Sequence, residues 1–502
     1  MALTALPAEL TINIAEILDP HSTLKFALTC KSHSALCKSV LEKHARLFNE
    51  WQIIDTTDAE LLLWQTLKEV LDDPRKGWYV RELNLPPNRQ YNWTSRMSLF
   101  PPHPCADLAP SGEEKDMFKA AARKLEKLYP ILESQHLLAR EANPSILGRP
   151  NDLVGTIEDR IDAGKEDGVV TILLHYLPYL KTIRLTEVDD TSDCLELMMH
   201  RVAGGYKDPA VASKLPLQHL TTAAVSHCNT EGSITANWAC SFLGIPSLKT
   251  FGAYRMGNSP SRGAEDYYLL PGKMPCSNVT ELFFACCLFN VEGLSVILAG
   301  LKNLKKFTYW GGDEGVSWAS YKPKETIQAL AKHVGHTVEE IVLDREDIDD
   351  DDHMNEDALK TVSLQEFQKL KILNCPWDMV RPEDEESDNG EPLEQGFHRK
   401  EDNIALDTDF DIRSILPESL QELYLHGTFF DTDGHYEWQA MERVFHHPNP
   451  MTPNLSLEKT CIRQVWNGGE IRERIGTADA PLSVDDHPLM HELFDGHGYS
   501  AL

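Results

Sequence analysis

The side chains that could do chemistry in this chain fall into a few short stretches. Asp349-Asp350-Asp351-Asp352 offers the carboxylate oxygens a calcium ion uses. A calcium loop also needs a glycine at its sixth position and a glutamate at its twelfth in one register, and neither this run nor Asp431-x-Asp433-Gly434 supplies both. The run reads as a solvated acidic loop. Gly257-Asn258-Ser259-Pro260 is not a nucleophile elbow, because a proline follows the serine. His435 and His446-His447 lie near acids but lack the spacing of metal ligands. There is no Gly-x-Gly-x-x-Gly, phosphate loop or His-Glu-x-x-His. The expectation is a non-catalytic protein with neither metal nor cofactor.

Binding chemistry is better represented. Arg184, Thr308, Asp344, Asn374 and Tyr424 sit between apolar anchors, and Tyr254, Arg255, Trp310 and His426 lie just beyond such anchors. Tryptophan, tyrosine and arginine dominate the energetics of protein interfaces. Arg184, Tyr254, Arg255, Thr308, Trp310, Tyr424 and His426 are therefore the expected contacts to a protein substrate. Tyr309 is expected to pack inward, and Trp310-Gly311-Gly312-Asp313-Glu314 to turn the chain.

The elements that position these residues follow one recurring phrase: apolar, two others, apolar, one other, apolar. Leu180-x-x-Ile183-x-Leu185, Val279-x-x-Leu282-x-Phe284, Leu304-x-x-Phe307-x-Tyr309, Val338-x-x-Ile341-x-Leu343, Leu370-x-x-Leu373-x-Cys375 and Leu420-x-x-Leu423-x-Leu425 carry it. Val80-x-x-Leu83-x-Leu85 is an earlier copy, and Leu217-x-x-Leu220 and Leu248-x-x-Phe251 hold its first half. Helical patterns fill the gaps at Asp193 to Val202, Val291 to Leu301 and Lys324 to His336. Strand, turn and helix recurring at about thirty residues predict an irregular solenoid similar to leucine-rich repeats, since one unit cannot bury its apolar side alone. The expected fold class is α/β, with the strands parallel in a curved sheet. A plain α/β domain with a parallel sheet is the simpler alternative.

The N-terminus precedes this array with Leu6-Pro7-Ala8-Glu9-Leu10, then Ile12, Ile14, Ile17, Leu18, Asp19-Pro20, Leu24, Phe26, Leu28 and Cys30-Lys31. Pro7 and Glu9 suit a first helical turn. Leu10, Ile14, Ile17 and Leu18 make one helical stripe, which Asp19-Pro20 ends. Ser22 or Thr23 is expected to cap a second helix carrying Leu24, Ala27 and Leu28. Leu36, Val40, Leu41, Ala45 and Phe48 predict a third. Helices this short cannot bury so much apolar surface internally, so a face is left for the rest of the protein or a partner.

This stretch resembles an F-box, the segment by which substrate receptors dock on the Skp-family adaptor of a cullin-based ubiquitin ligase. The irregular repeats behind it are similar to those of fungal F-box proteins. Where the family usually places an aromatic after the cysteine, this chain has Ser32, His33 and Ser34. The resemblance implies that Leu6, Pro7, Glu9, Leu10, Ile14, Leu18, Leu24, Leu28 and Cys30 contact the adaptor, and through it a cullin. A repeat scaffold unrelated to ubiquitin, capped by the same helices, is the alternative.

The bulk numbers bound the rest. The 502 residues are too many for one compact globule, and 42% hydrophobic content suits a core-forming protein. A net charge of −30 argues against nucleic acid or an anionic membrane as partner. The most apolar run, Val169 to Leu180, is interrupted by His175 and Pro178 and falls short of a membrane span. Eleven scattered cysteines with no Cys-x-x-Cys pair, and no apparent leader, predict buried free thiols in a cytoplasmic or nuclear protein. The expected organisation is an F-box-like module over residues 1–50, a helical capping region with one strand and a proline-rich loop over 51–165, the repeats over 166–465 and a tail over 466–502. Acidic insertions are expected near 344–357 and 381–410.

Overall fold

A computed structural model describes residues 6–56, 62–85, 109–125, 153–185, 193–227, 233–257, 276–312, 323–345, 363–376, 415–428, 457, 459–465 and 471–476. The expectations for Asp349 to Asp352, Asp431 to Gly434, His435, His446-His447 and the second acidic insertion lie outside these residues. The described residues fall into two compact units, the first ending at Val279 and the second starting at Thr280.

The first unit opens with α1 (Ala8–Ile17), α2 (Pro20–Ala27), α3 (Lys31–Leu36) and α4 (Lys38–Trp51). The third apolar pattern thus spans two helices rather than one, separated only by Cys37, which keeps helical angles. The cap of α2 also differs from expectation. Asp19 provides it, its carboxylate accepting from the backbone N–H groups of His21 at 3.0 Å and Ser22 at 3.1 Å. Pro20 follows at the first helical position, where no N–H is needed. Thr23 is instead buried inside the helix, and its hydroxyl donates to the Ala15 carbonyl at 3.0 Å.

Five parallel strands follow: β1 (Ile53–Asp55), β2 (Glu82–Leu85), β3 (Thr182–Leu185), β4 (Thr222–Ser226) and β6 (Thr250–Tyr254), with a small pair β5 (Ile234–Thr235) and β7 (Met256–Gly257) beside them in sequence. Between the strands lie α5 (Leu63–Asp72), α6 (Gly112–Leu125), α7 (Leu153–Asp162), α8 (Glu166–His175), α9 (Asp193–Gly205), α10 (Pro209–Ala212) and α11 (Asn237–Leu243). A short turn of 3₁₀ helix, Pro74–Trp78, requires its glycine: a Cβ on Gly77 would stand 1.9 Å from the Tyr176 carbonyl oxygen. The second unit holds six parallel strands, β8 (Glu281–Cys287), β9 (Lys306–Gly311), β10 (Glu340–Arg345), β11 (Ile372–Pro376), β12 (Glu422–Thr428) and β13 (Lys459–Val465). A last strand, β14 (Ile471–Gly476), is antiparallel to β13, while α12 (Val291–Ala299) and α13 (Pro323–Val334) cross between strands.

Strand pairing aligns the recurring anchors. Leu83, Ile183, Ala223 and Phe251 are register partners in turn, as are Leu282, Phe307, Ile341, Leu373 and Leu423. One anchor assignment is corrected: Ile183 pairs with Ala223, so the true copy is Leu220-x-x-Ala223-x-Val225 and not Leu217-x-x-Leu220. Small residues hid it, because Ala223 fills an anchor place that other copies give to leucine or phenylalanine. Leu217 stands outside the strand with a positive φ of 67°, uncommon for a side chain of its size. Strand β1 was not expected at all.

A backbone device repeats at successive strand starts in both units. The Gln52 carbonyl accepts from both Arg81 N (2.8 Å) and Glu82 N (3.0 Å), Arg81 O from Lys181 and Thr182, and Lys181 O from Thr221 and Thr222. In the second unit Lys305 O serves Glu339 and Glu340, Glu339 O serves Lys371 and Ile372, and Lys371 O serves Gln421 and Glu422.

Each strand turns its anchors into the core. Phe307 and Tyr309 are buried, the Tyr309 hydroxyl donating to the Cys287 carbonyl at 2.9 Å and accepting from Phe289 N at 3.2 Å. Tyr309 therefore packs inward as its spacing predicted. Helix α8 is buried almost all round, Glu166 and Asp167 included. Burial holds the Asp167 carboxyl above the usual range, opposed by Arg160 at 3.5 Å and by the Cys194 N–H. Cys37, Cys194, Cys240, Cys286, Cys287 and Cys375 are buried free thiols. Among the described residues no helix is long and apolar enough to cross a membrane.

Two consequences are measurable. Phe307→Ala removes a ring packed near Phe284 and Tyr309 and should cost about 3–5 kcal/mol in urea unfolding; Thr308→Ala, on the opposite face of the same strand, should cost about 1 kcal/mol or less. His175 is held by burial at a pKa of about 4, with its Nδ1–H bonded to the Thr171 carbonyl at 2.9 Å. A folded pKa below the unfolded one means stability is present above pH about 6.5 and lost as pH falls toward 4. Unfolding free energy should drop by about 2–3 kcal/mol over that window from this group, and His175→Gln should remove that part of the acid sensitivity.

Candidate functional site

Two surfaces carry the residues singled out from the sequence, and the first is on α1 and α2. The helical stripe is not what these helices bury. Their core is Ala15, Ala27, Cys37 and Val40, with Ile12, Phe26 and Leu41 packed against it, and Thr11 and Thr23 also turn inward. Small residues let the helices approach closely, and the long side chains flanking them stay outside. Leu10 is 48% exposed, Ile17 75%, Leu24 46% and Leu28 74%. These are large apolar side chains in solvent on adjacent short helices.

Of the expected adaptor contacts, Pro7, Glu9, Leu10, Leu24 and Leu28 are exposed, and Leu6, Ile14, Leu18 and Cys30 are half-buried. Cys30 caps α3, its sulfur accepting from His33 N at 3.4 Å. Ile17 is the most exposed of the large apolar residues described. Its place in the helix-spaced stripe was the signal for it.

His33 stands where the F-box resemblance leads one to expect an aromatic. It is buried, and its ring stacks on Phe26 with centroids 4.6 Å apart and planes 24° from parallel. The Thr29 hydroxyl donates to the Phe26 carbonyl at 2.7 Å, so it accepts from His33 Nδ1 at 2.8 Å, which places the imidazole proton on Nδ1. Sequence type alone hid this, since histidine is not in the expected aromatic class.

The helices run into the sheet without a free linker. The Arg81 guanidinium lies over the rings of Phe48 and Tyr179, each 5.4 Å away, and donates to the carbonyls of Trp78 and Val80. Lys76 sits 4.7 Å from the Trp51 ring, and His44 Nδ1 is 2.5 Å from the Tyr79 hydroxyl. Gln52, which ends α4, is also the first carbonyl of the strand-start ladder.

The second set lies on the sheet face opposite the core. In the first unit Arg184 donates to Glu82 at 3.2 Å and to the Asn84 side chain at 2.8 Å, and Asn84 donates to Asp55 at 3.2 Å. Arg184 thus ties β3 to β2, and Asn84 carries the link on to β1. Arg255 has φ 53°, its guanidinium lies over the Tyr254 ring at 5.1 Å, and its carbonyl accepts from Ile234 N at 3.0 Å. Tyr254 and Arg255 end β6 as a half-exposed pair.

In the second unit the expected contacts separate into two rungs across the strands. Thr308, Val342, Asn374 and Tyr424 are register partners and form the first. Thr308 and Tyr424 are buried there, contrary to their expected role as contacts. Neighbouring strands stand about 4.8 Å apart, so side chains in one rung cover each other. The Tyr424 hydroxyl is turned to Glu422 at 2.8 Å. Trp310, Asp344, Pro376 and His426 form the next rung, at the carboxyl ends of the strands, and Trp310, Asp344 and His426 are half-exposed. His426 reaches Asp344 Oδ1 with Nε2 and Asn374 Oδ1 with Nδ1, both at 3.2 Å.

No family model matches this chain, and no curated protein does either. Among the described residues no group of three or more histidine, cysteine, aspartate or glutamate side chains could hold a metal ion.

Truncating the buried ring tests the N-terminal packing. His33→Ala should raise hydrogen exchange across α3 and lower stability by about 2 kcal/mol, and His33→Phe should keep most of the packing while losing the bond to Thr29.

Proposed function

We propose that this protein is a substrate-recognition subunit of a Skp–cullin–F-box ubiquitin ligase, with an F-box module at its N-terminus and a leucine-rich-repeat-like array behind it. The observation that carries the reading is the outward apolar surface of Leu10, Ile17, Leu24 and Leu28 on helices whose own core is made of small residues. Leaving four large side chains in water is unfavourable by roughly 25 cal/mol for each Å² of apolar area, and a partner that covers them recovers it. Leu6, Pro7, Glu9, Ile14 and Leu18 surround that surface in the sequence order the F-box resemblance requires.

In this reading the protein contributes proximity. The helices hold the adaptor, the strand array holds a substrate, and the substrate's lysines stand near the ubiquitin-charged enzyme at high effective concentration. The packing of Arg81 between Phe48 and Tyr179 would fix the direction in which α4 enters the sheet. No catalytic side chain of its own is needed.

Co-expression with a Skp-family adaptor tests the reading. The wild-type chain should co-purify with the adaptor in equal amounts. Leu10→Asp and Leu28→Asp should each weaken the complex by about a hundredfold or more, the cost of a charge in an interface centre, with the melting temperature of the free protein little changed because both side chains are already exposed. A wild-type chain that binds no adaptor sinks the ligase reading and leaves the scaffold alternative.

A further inference from the structure

We infer that the partner covering Leu24 and Leu28 carries carboxylates beside α2 and α3, so that its docking face is apolar at the centre, acidic on that side and free of acid beside α1. This inference rests on the reading of α1 and α2 as the adaptor-binding surface and names the charge pattern of the surface they accept.

The chain as a whole has a net charge of −30, yet residues 20–46 hold Lys25, Lys31, Lys38, Lys43 and Arg46 against the single acid Glu42. Two of these bases flank the exposed leucines. Lys25 follows Leu24 directly and stands three residues before Leu28, one turn away on the same side of the helix. Lys31 opens α3, three residues beyond Leu28. Both lysines are exposed, and among the described residues neither makes an ion pair, whereas Lys38 has Glu42 at 3.9 Å. The charge changes sign on α1. There Glu9 precedes Leu10 and Glu16 precedes Ile17, and both glutamates are exposed.

No partner can cover Leu24 and Leu28 without approaching these lysines. An ammonium taken out of water with no counter-charge is unfavourable, and one set against another cation is more so. A carboxylate opposite it draws the partner in and fixes its orientation, while the leucines supply the buried apolar area. A partner acidic across its whole docking face would meet Glu9 and Glu16 with like charge. A second copy of this chain satisfies the same rule only with α1 of one copy against α2 of the other, which makes self-association the competing outcome.

The test uses the full-length protein and a purified Skp-family adaptor, with the dissociation constant read by biolayer interferometry at about 50 mM and about 500 mM sodium chloride, conditions of weak and strong screening. The wild type should bind about threefold to tenfold more weakly at high salt. Lys25→Glu combined with Lys31→Glu should weaken binding about thirtyfold at low salt and about threefold at high salt, because the attraction it reverses is screened there. Lys25→Gln with Lys31→Gln should fall between, and serves if the doubly reversed variant does not fold by circular dichroism. Leu28→Ala should weaken binding by the same factor at both salts, as a loss of apolar contact does. Glu9→Lys should weaken binding and not strengthen it. Wild-type binding that ignores salt, lysine variants that bind as the wild type does, or tighter binding by Glu9→Lys would each overturn the inference and leave the ligase reading standing. A wild-type chain that binds no adaptor overturns that reading and the inference with it. A dimer in sedimentation velocity that Leu28→Ala dissolves assigns the surface to a second copy and overturns both.

Discussion

A single backbone arrangement runs through both units. The residue just before one strand offers its carbonyl to two successive N–H groups at the start of the next, from Gln52 through Arg81 and Lys181 in the first unit and from Lys305 through Glu339 and Lys371 in the second. Buried backbone groups must find partners, and parallel strands cannot find them within one hairpin. The shared carbonyl sets the register between one copy and the next. Once that register is set, Leu83 meets Ile183, Phe307 meets Ile341, and the apolar anchors join into one core within each unit. Everything placed on the opposite face, including Arg184 and His426, inherits its position from this ladder.

The same constraint reaches back to the N-terminal helices. Gln52 closes α4 and opens the ladder, so the helical module is continuous with the sheet of the first unit. Arg81 illustrates how much one residue can do: its backbone takes part in two steps of the ladder while its guanidinium lies between Phe48 and Tyr179. Burial lowers the pKa of that guanidinium from its ordinary value, yet it keeps two carbonyl acceptors within 2.9 Å and two aromatic faces, which is how a half-buried cation is tolerated.

The proposed adaptor-binding surface follows from the size of the residues beneath it. Ala15, Ala27, Cys37 and Val40 make a core too small to take Leu10, Ile17, Leu24 and Leu28 as well. A helical stripe is usually a buried stripe. Here Leu10 and Ile17 of the stripe are exposed and Ile14 and Leu18 half-buried, and the buried residues of α1 are Thr11 and Ala15. Binding by such a surface is compatible with a stable free protein, because the module's own packing does not use the side chains offered to a partner.

Much of this was legible in the amino-acid order. The apolar-x-x-apolar-x-apolar phrase located β2, β3, β8, β9, β10, β11 and β12, because two of its places fall on one face of a strand and strands alternate with a period of two. It misplaced one copy where Ala223 and Ala224 stand for larger residues, and it passed over Ile53-Ile54-Asp55, since three residues show no period. Helix spacing found α1 and α2 but not which side they bury, for periodicity gives a face and only packing says what covers it. The sequence by itself determined the α/β class, the recurring units and the outward-lying candidates Trp310 and His426. Only the tertiary structure decided that Thr308 and Tyr424 are covered, that Arg184 ties strands together, and that His33 stacks on Phe26. Those outcomes depend on which side chains become neighbours across strands and helices distant in sequence, and that adjacency exists only once the chain has folded.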